Sequence, residues 1–186
     1  MKEDIITVGG PPGSGTSTLC RLLEERTGMR YVYIGALFRQ LAERHGMELL
    51  EFSAYALEHP EIDRELDELA IEEAVKGDII LEGRLAGWMT YRHGVRAFRI
   101  WIDADEEERA RRIMEREGGT LEEVAEKMRR REAEENTRYM KIYGIDLDDM
   151  SVYDLVVDST RLPPKKVLAI TEESYARWKA ITEGGN

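Results

Sequence analysis

Short apolar runs, each bounded by glycine or an acidic residue, alternate along the chain with longer segments in which apolar residues recur at helical spacing. The runs are "IITV" at 5–8, "RYVYI" at 30–34, "DIILE" at 78–82, "AFRIWI" at 97–102 and "DLVVD" at 154–158. Their shortness marks them as strands. Their alternation with helical segments predicts an α/β domain whose five-stranded sheet is mainly parallel and flanked by helices.

The segments between them carry their own start and stop signals. "TSTLCRLLEERTG" offers Leu19, Leu22 and Leu23 to a core and stops at Gly28, and "GALFRQLAERHG" also closes on glycine. Residues 48–58 and 61–76 predict two helices broken at Pro60, which lacks an amide donor and restricts the residue before it. "DADEEERARRIMERE" opens with acids and closes with bases, as a helix dipole favours. "LEEVAEKMRRREAEENTRYMKIYG" is helical, heavily charged and expected to be largely exposed or mobile. "LPPKKVLAITEESYARWKAI" predicts a last helix that begins at its prolines and packs through Leu168, Tyr175 and Trp178. No repeat, linker or low-complexity tract interrupts the pattern.

A length of 186 residues suits one domain with a real core. With 27 basic against 38 acidic side chains the net charge is −11, so the average surface repels nucleic acids and anionic membranes. A bound phosphate must therefore meet local positive groups. Cys20 is the single cysteine, which excludes an intrachain disulfide and suits a core thiol. No export signal opens the sequence and no 18 apolar residues run together, so a cytoplasmic protein is expected. His45, His59 and His93 lack metal-ligand spacing, and no G-x-S-x-G string supports a serine hydrolase. A monomer is expected, since no apolar stripe exceeds the needs of the core.

The chemistry concentrates after the first strand. In "TVGGPPGSGTSTL" Gly10, Gly15 and Ser17 match the phosphate-loop pattern G-x-x-x-x-G-K-[ST], while Thr16 stands where lysine is usual. Glycines at 10, 13 and 15 let successive amides turn inward on phosphate oxygens, aided by the positive end of the following helix. None of that needs lysine. Ser17 is set to ligate Mg²⁺, and the lost cation bears on catalysis more than on binding. Glu82, ending an apolar strand, suits either a water of the Mg²⁺ shell or a structural cap.

Arg39 and Arg84 follow the second and third strands, where ligands of open α/β sheets bind. Both are expected to overlook the mouth beside the glycine loop. In "MRRREAEENTRY" Arg131 and Arg138 lie seven apart, near one face of a helix, with Glu132 beside the first. On a mobile segment these arginines would close over a triphosphate and supply the charge the loop lacks.

Taken together, "GGPPGSGTST", "YVYIGALFRQLA", "IILEGRLAGWM", "RRREAEENTRYMKIYGID" and "YDLVVDST" resemble the cytidylate kinases among the P-loop nucleoside monophosphate kinases, most closely their short archaeal form, from about Ile5 to about Tyr175. The resemblance implies a P-loop core at 1–34, 77–117 and 150–186, a helical monophosphate-binding insert at about 35–76 and a mobile lid at about 118–149. It implies transfer of the γ-phosphoryl group of ATP to CMP, with Mg²⁺, and with dCMP and UMP as further candidate acceptors. Gly10, Pro11, Pro12, Gly13, Ser14, Gly15, Thr16, Ser17 and Thr18 would take the ATP phosphates, and Arg39 and Arg84 the CMP phosphate. Arg131 and Arg138 would bridge donor and acceptor phosphates, with Arg84 counted among the catalytic group. Glu132 would face the cytosine, and Asp63 is a further candidate for base or ribose contact. A kinase for another monophosphate such as AMP, or a nucleotide-binding regulatory protein without transfer activity, are the competing readings.

Overall fold

The structure is a computed structural model that describes residues 4–184; positions 1–3 and 185–186 of the expected core ranges lie outside it. The chain runs β1 (Ile5–Gly9), α1 (Thr16–Thr27), β2 (Arg30–Tyr33), α2 (Ile34–Arg44), α3 (Leu49–Glu58), α4 (Pro60–Ala74) and β3 (Ile79–Glu82). It continues through α5 (Ala86–Arg92), β4 (Phe98–Asp103), α6 (Glu106–Glu117), α7 (Leu121–Tyr143), β5 (Leu155–Asp158) and α8 (Pro164–Glu183). Each expected strand is present within one residue of its expected ends. All pairings are parallel, in the order β2-β3-β1-β4-β5.

Parallel strands need crossovers that cover both faces, and the helices divide accordingly. On one face α1 and α8 bury Leu19, Cys20, Leu23 and Val167 against Ile6, Ile100 and Ile102. Tyr175 and Trp178 close that side, 5.3 and 5.6 Å from the Phe98 ring. Leu22 is only half-buried; the inward stripe of α1 is 19, 20 and 23, so the cysteine fills a core position. On the other face α2, α4 and α5 pack Leu37, Ala70, Ala74 and Ala86 on Ile5, Ile79 and Leu81. A separate cluster of Leu41, Phe52 and Ile62 stabilises the α2–α4 region from within.

Two helices depart from the expected pattern. α5 has no counterpart among the expected elements; burial of Ala86, Gly87 and Met89 accompanies its helix. Pro60 opens α4 as its first-turn residue, a position where a missing amide costs nothing. α7 starts from a capping box between Thr120 and Glu123 and ends at Gly144, with φ 61°. It is largely exposed, as expected, but it docks through Val124 and Met128 on Ala110 of α6 and through Tyr139 beside Leu85 and Met89. Among the described residues no helix is long and apolar enough to cross a membrane.

β1 sits at the centre of the sheet, so the loop leaving it opens where the strand order reverses. The backbone there is tightly enclosed. A side chain on Gly13, whose φ is 82°, would put its Cβ 2.6 Å from the Arg109 carbonyl oxygen. Gly13→Ala is expected to destabilise the fold by about 1–3 kcal/mol, which in a chain of this size lowers Tm by roughly 2–4 °C per kcal/mol. A calorimetric Tm equal to that of the native protein would contradict this packing.

Candidate active site

The loop and the carboxyl ends of β1 and β3 enclose a cavity of about 420 Å³. Gly10, Pro11, Pro12, Gly13, Gly15, Thr16, Ser17 and Thr18 all line it. Gly15 precedes α1 with φ 100°, and no side chain caps the helix. The first amides of α1 thus have no intrahelical partner and face the cavity as ready donors for an anion. Ser14 is the exception within the loop. Its amide donates to the Pro11 carbonyl at 3.2 Å, its side chain is fully buried, and it lies on the opposite wall, away from this cavity.

Glu82, the last residue of β3, is 5% exposed and lines the same cavity. Its Oε1 accepts hydrogen bonds from Thr16 Oγ1 at 2.7 Å and from Ser17 Oγ at 2.8 Å. Its Oε2 accepts from the Tyr31 hydroxyl. Three neutral hydroxyls satisfy this carboxylate, and none of the described ion pairs includes it. Burial and the Glu82 carboxylate together push the Tyr31 phenol far above its ordinary range, so it acts only as a donor. The position where lysine is usual is therefore filled by a hydroxyl that bonds the acid at the strand end.

Positive charge reaches the cavity from four arginines: Arg84, Arg112, Arg116 and Arg131. Arg84 and Arg131 were expected, and a shared carboxylate brings them together. Glu135 Oε2 accepts from Arg84 Nε and Nη2 at 2.9 and 2.7 Å, and its Oε1 accepts from Arg131 Nε at 2.8 Å. Burial opposes ionisation of Glu135, yet the two guanidinium charges outweigh it and hold the carboxyl below its usual range. Arg112 and Arg116, on α6, are functional candidates that the sequence reading missed. Arg112 donates to Ser159 Oγ at 3.0 Å and to the Ser159 carbonyl at 2.8 Å, bracing the back of the loop.

Four other expected residues sit elsewhere. Arg39 is exposed on α2 and does not line the cavity, because the helix begins directly at Ile34 and carries it more than a turn away from the strand end. Tyr33 lines the cavity at that place instead. Glu132, expected to face the base, pairs with buried Arg109, which also donates to the Pro12 carbonyl at 3.3 Å. Helical spacing explains the difference: Val124, Met128 and Glu132 follow one stripe toward α6, while Arg131, Glu135 and Arg138 follow another. Arg138 lies with Asp63, Nη2 to Oδ1 3.8 Å, both outside the main cavity lining. Asp63 is 3% exposed with Oδ2 unpartnered, and Arg138 Nε is likewise unpartnered.

Behind the loop a second cavity of about 570 Å³ shares Gly15, Thr18 and Arg112 with the first and adds apolar wall from Leu19, Leu162 and Val167. Its floor is closed by Ser159 Oγ, which donates to the Ser14 carbonyl at 2.7 Å.

Comparison with known proteins identifies a family. The description of the cytidylate kinase-like family matches residues 5–161. The chain is 44% identical over 182 residues to a cytidylate kinase of Pyrococcus furiosus, covering 98% of this chain and 93% of that one. It is 44% identical over 176 residues to a cytidylate kinase of Methanocaldococcus jannaschii, covering 94% and 99%. Among solved structures it resembles a gluconokinase of Sinorhizobium meliloti, with a TM-score of 0.65 at 13% identity over 99% of this chain and 98% of that one. A shikimate kinase of Bacteroides thetaiotaomicron gives a TM-score of 0.58 at 12% identity over 97% and 98%. These two likenesses concern the fold alone.

Beside Asp63, burial pushes the Asp67 carboxyl up to about 6, against the hydrogen bond it accepts from Tyr143. A raised carboxyl means the folded state holds more protons than the unfolded one between its unfolded value of 3.8 and 6. Stability from this group is therefore lost as pH rises through that window. Asp67→Asn keeps an acceptor for Tyr143 and removes the titration. Its Tm is expected to exceed the native value at pH 7–8 and to converge on it below pH 4; a constant difference across that range would show that Asp67 does not titrate there.

Proposed function

The chain belongs to the cytidylate kinase-like family, and from that membership we infer that it is an ATP-dependent kinase that phosphorylates CMP to CDP and releases ADP. The observation that carries the chemistry is the convergence on one cavity of uncapped α1 amides, the loop hydroxyls and a pair of arginines joined by a carboxylate.

A phosphate monoester oxygen is already an anionic nucleophile near neutral pH, so the site has to align and neutralise rather than remove a proton. In this reading the amides of Gly13, Gly15, Thr16, Ser17 and Thr18 hold the donor phosphates. Arg84 binds the acceptor phosphate, joined by Arg39 as α2 approaches. Arg131 meets the transferred group, and Arg138 follows on the same stripe of α7. Arg116, exposed at the cavity wall, adds a further cation. The apolar wall of the second cavity suits the base of the donor nucleotide. Asp63 accepts from the acceptor nucleoside, its unpartnered Oδ2 being the supporting feature. Glu132, tied to Arg109, supports the loop from behind in place of a base contact.

The oxygen set at the head of α1 fits Mg²⁺. Ser17 Oγ, Thr16 Oγ1 and Glu82 Oε1 are hard donors facing the cavity, and the carboxylate has no cation beside it. When bound there with the nucleotide, Mg²⁺ supplies positive charge to the terminal phosphates. The chain's own part is to orient the two hydroxyls through Glu82 and to fix Glu82 through Tyr31. Charge that a loop lysine would bring comes in this account from the arginines and the metal together.

ADP release, followed by a coupled assay with CMP, dCMP, UMP and AMP, tests the reading. CMP is expected to raise ADP release at least 100-fold over ATP alone, above the other three acceptors. If AMP were the best acceptor, the cytidylate assignment would fail. If none raised the rate, the chain would be a nucleotide-binding protein without transfer activity.

A further inference from the structure

Glu135 lines neither of the two cavities described above, yet it is the residue through which Arg84 and Arg131 meet. It lies on α7, 51 positions from Arg84 in the sequence, and it ties that helix to the end of β3. Side-chain exposure falls from 63% at Arg131 to 14% at Glu135 and 12% at Arg84. The carboxylate takes Nε and Nη2 of Arg84 and Nε of Arg131. Arg84 Nη1 and both Nη groups of Arg131 have no hydrogen-bond partner among the described residues. A guanidinium is planar and offers five N–H donors in a fixed fork. Holding its Nε edge therefore fixes the plane and the direction in which the remaining donors point.

Two guanidiniums side by side also repel. A single negative charge between them reduces the pair from two net positive charges to one, and lets them stand close in the absence of a phosphate. The same charge makes their grip on an anion weaker than two free arginines would have. Alignment is gained and ground-state attraction is given up.

We propose that Glu135 is a positioning residue for phosphoryl transfer, holding Arg84 and Arg131 by their inner edges so that their free donors meet the reacting phosphates in one fixed arrangement. This deepens the kinase reading above and rests on it. Misplacing a group by about 1 Å costs on the order of 100-fold in rate. Loss of alignment should therefore appear in kcat, while loss of the negative charge should leave CMP binding unweakened.

The test is Glu135→Gln, assayed for CDP formation beside the native protein, with the folded fraction taken from the stoichiometry of ADP binding by calorimetry. The expected result is a kcat lower by about 100-fold, a KM for CMP equal to or below the native value, and an unchanged Kd for ADP. A kcat that falls only in proportion to lost folded protein would mean a merely structural role and would overturn the proposal. A raised KM with kcat preserved would make Glu135 a substrate contact and overturn it as well. Should the amide variant not fold, Glu135→Asp keeps the charge but is one methylene short of bridging both guanidiniums; a kcat within threefold of native there counts against the proposal. Native protein that makes no CDP refutes the kinase reading, whereas equal CDP from native and variant refutes the positioning role alone.

Discussion

A buried carboxylate at the end of β3 has to be satisfied by the loop that follows β1, and much of the site depends on how this is done. Glu82 sits in register with Val8 across the two central strands, so its carboxylate is delivered to the base of the phosphate loop. Leaving it without partners there would cost several kcal/mol. Thr16 and Ser17 can reach it only if α1 starts where it does, which fixes the helix terminus, and with it the free amides, relative to the sheet. Tyr31 completes the set from β2, on the far side of β3. A lysine at position 16 would form an ion pair with the same acid. With threonine, the acid has only hydroxyl partners and no side-chain cation, which suits a divalent cation and leaves the remaining positive charge to arginines.

Those arginines come from two helices that read very differently in sequence. α6 carries Arg109, Arg112 and Arg116 on an acidic and basic run that any solvated helix face would show, yet Arg109 is buried and Arg112 braces the loop through Ser159. α7 divides into two stripes. One, through Met128 and Glu132, docks on α6 and reaches the back of the loop by way of Arg109. The other, through Arg131, Glu135 and Arg138, faces the carboxyl end of β3 and α4. One helix thus supports the phosphate loop from behind and presents cations to its open side, so its docking and its chemistry are coupled.

The sheet was legible in the sequence because each strand is a short Ile- and Val-rich run closed by glycine or acid, and the loop was legible because its glycines have no other reason to stand at those spacings. α5 was not, since its helix comes from burial against the sheet rather than from its own sequence. Within the site, the resemblance turned Glu132 toward the base, whereas helical phase sends it to Arg109 on α6 and leaves Glu135, i,i+4 from Arg131, between the two cavity arginines. Arg39 stands off the cavity for a related reason, because proximity in sequence to a strand end says nothing of where a helix that starts at once will carry it. Arg112 and Arg116 lay hidden in a charge run whose outward appearance is the same whether it faces solvent or a phosphate.

As a kinase, a protein whose phosphate loop lacks its lysine still has to direct the phosphoryl group to a nucleotide rather than to water. The direct measurement is the fate of the γ-phosphate of radiolabelled ATP in the presence of saturating CMP and Mg²⁺. The label is expected in CDP, in amounts equal to the ADP formed, with little inorganic phosphate. Label found mainly in inorganic phosphate, at a rate indifferent to CMP, would contradict it.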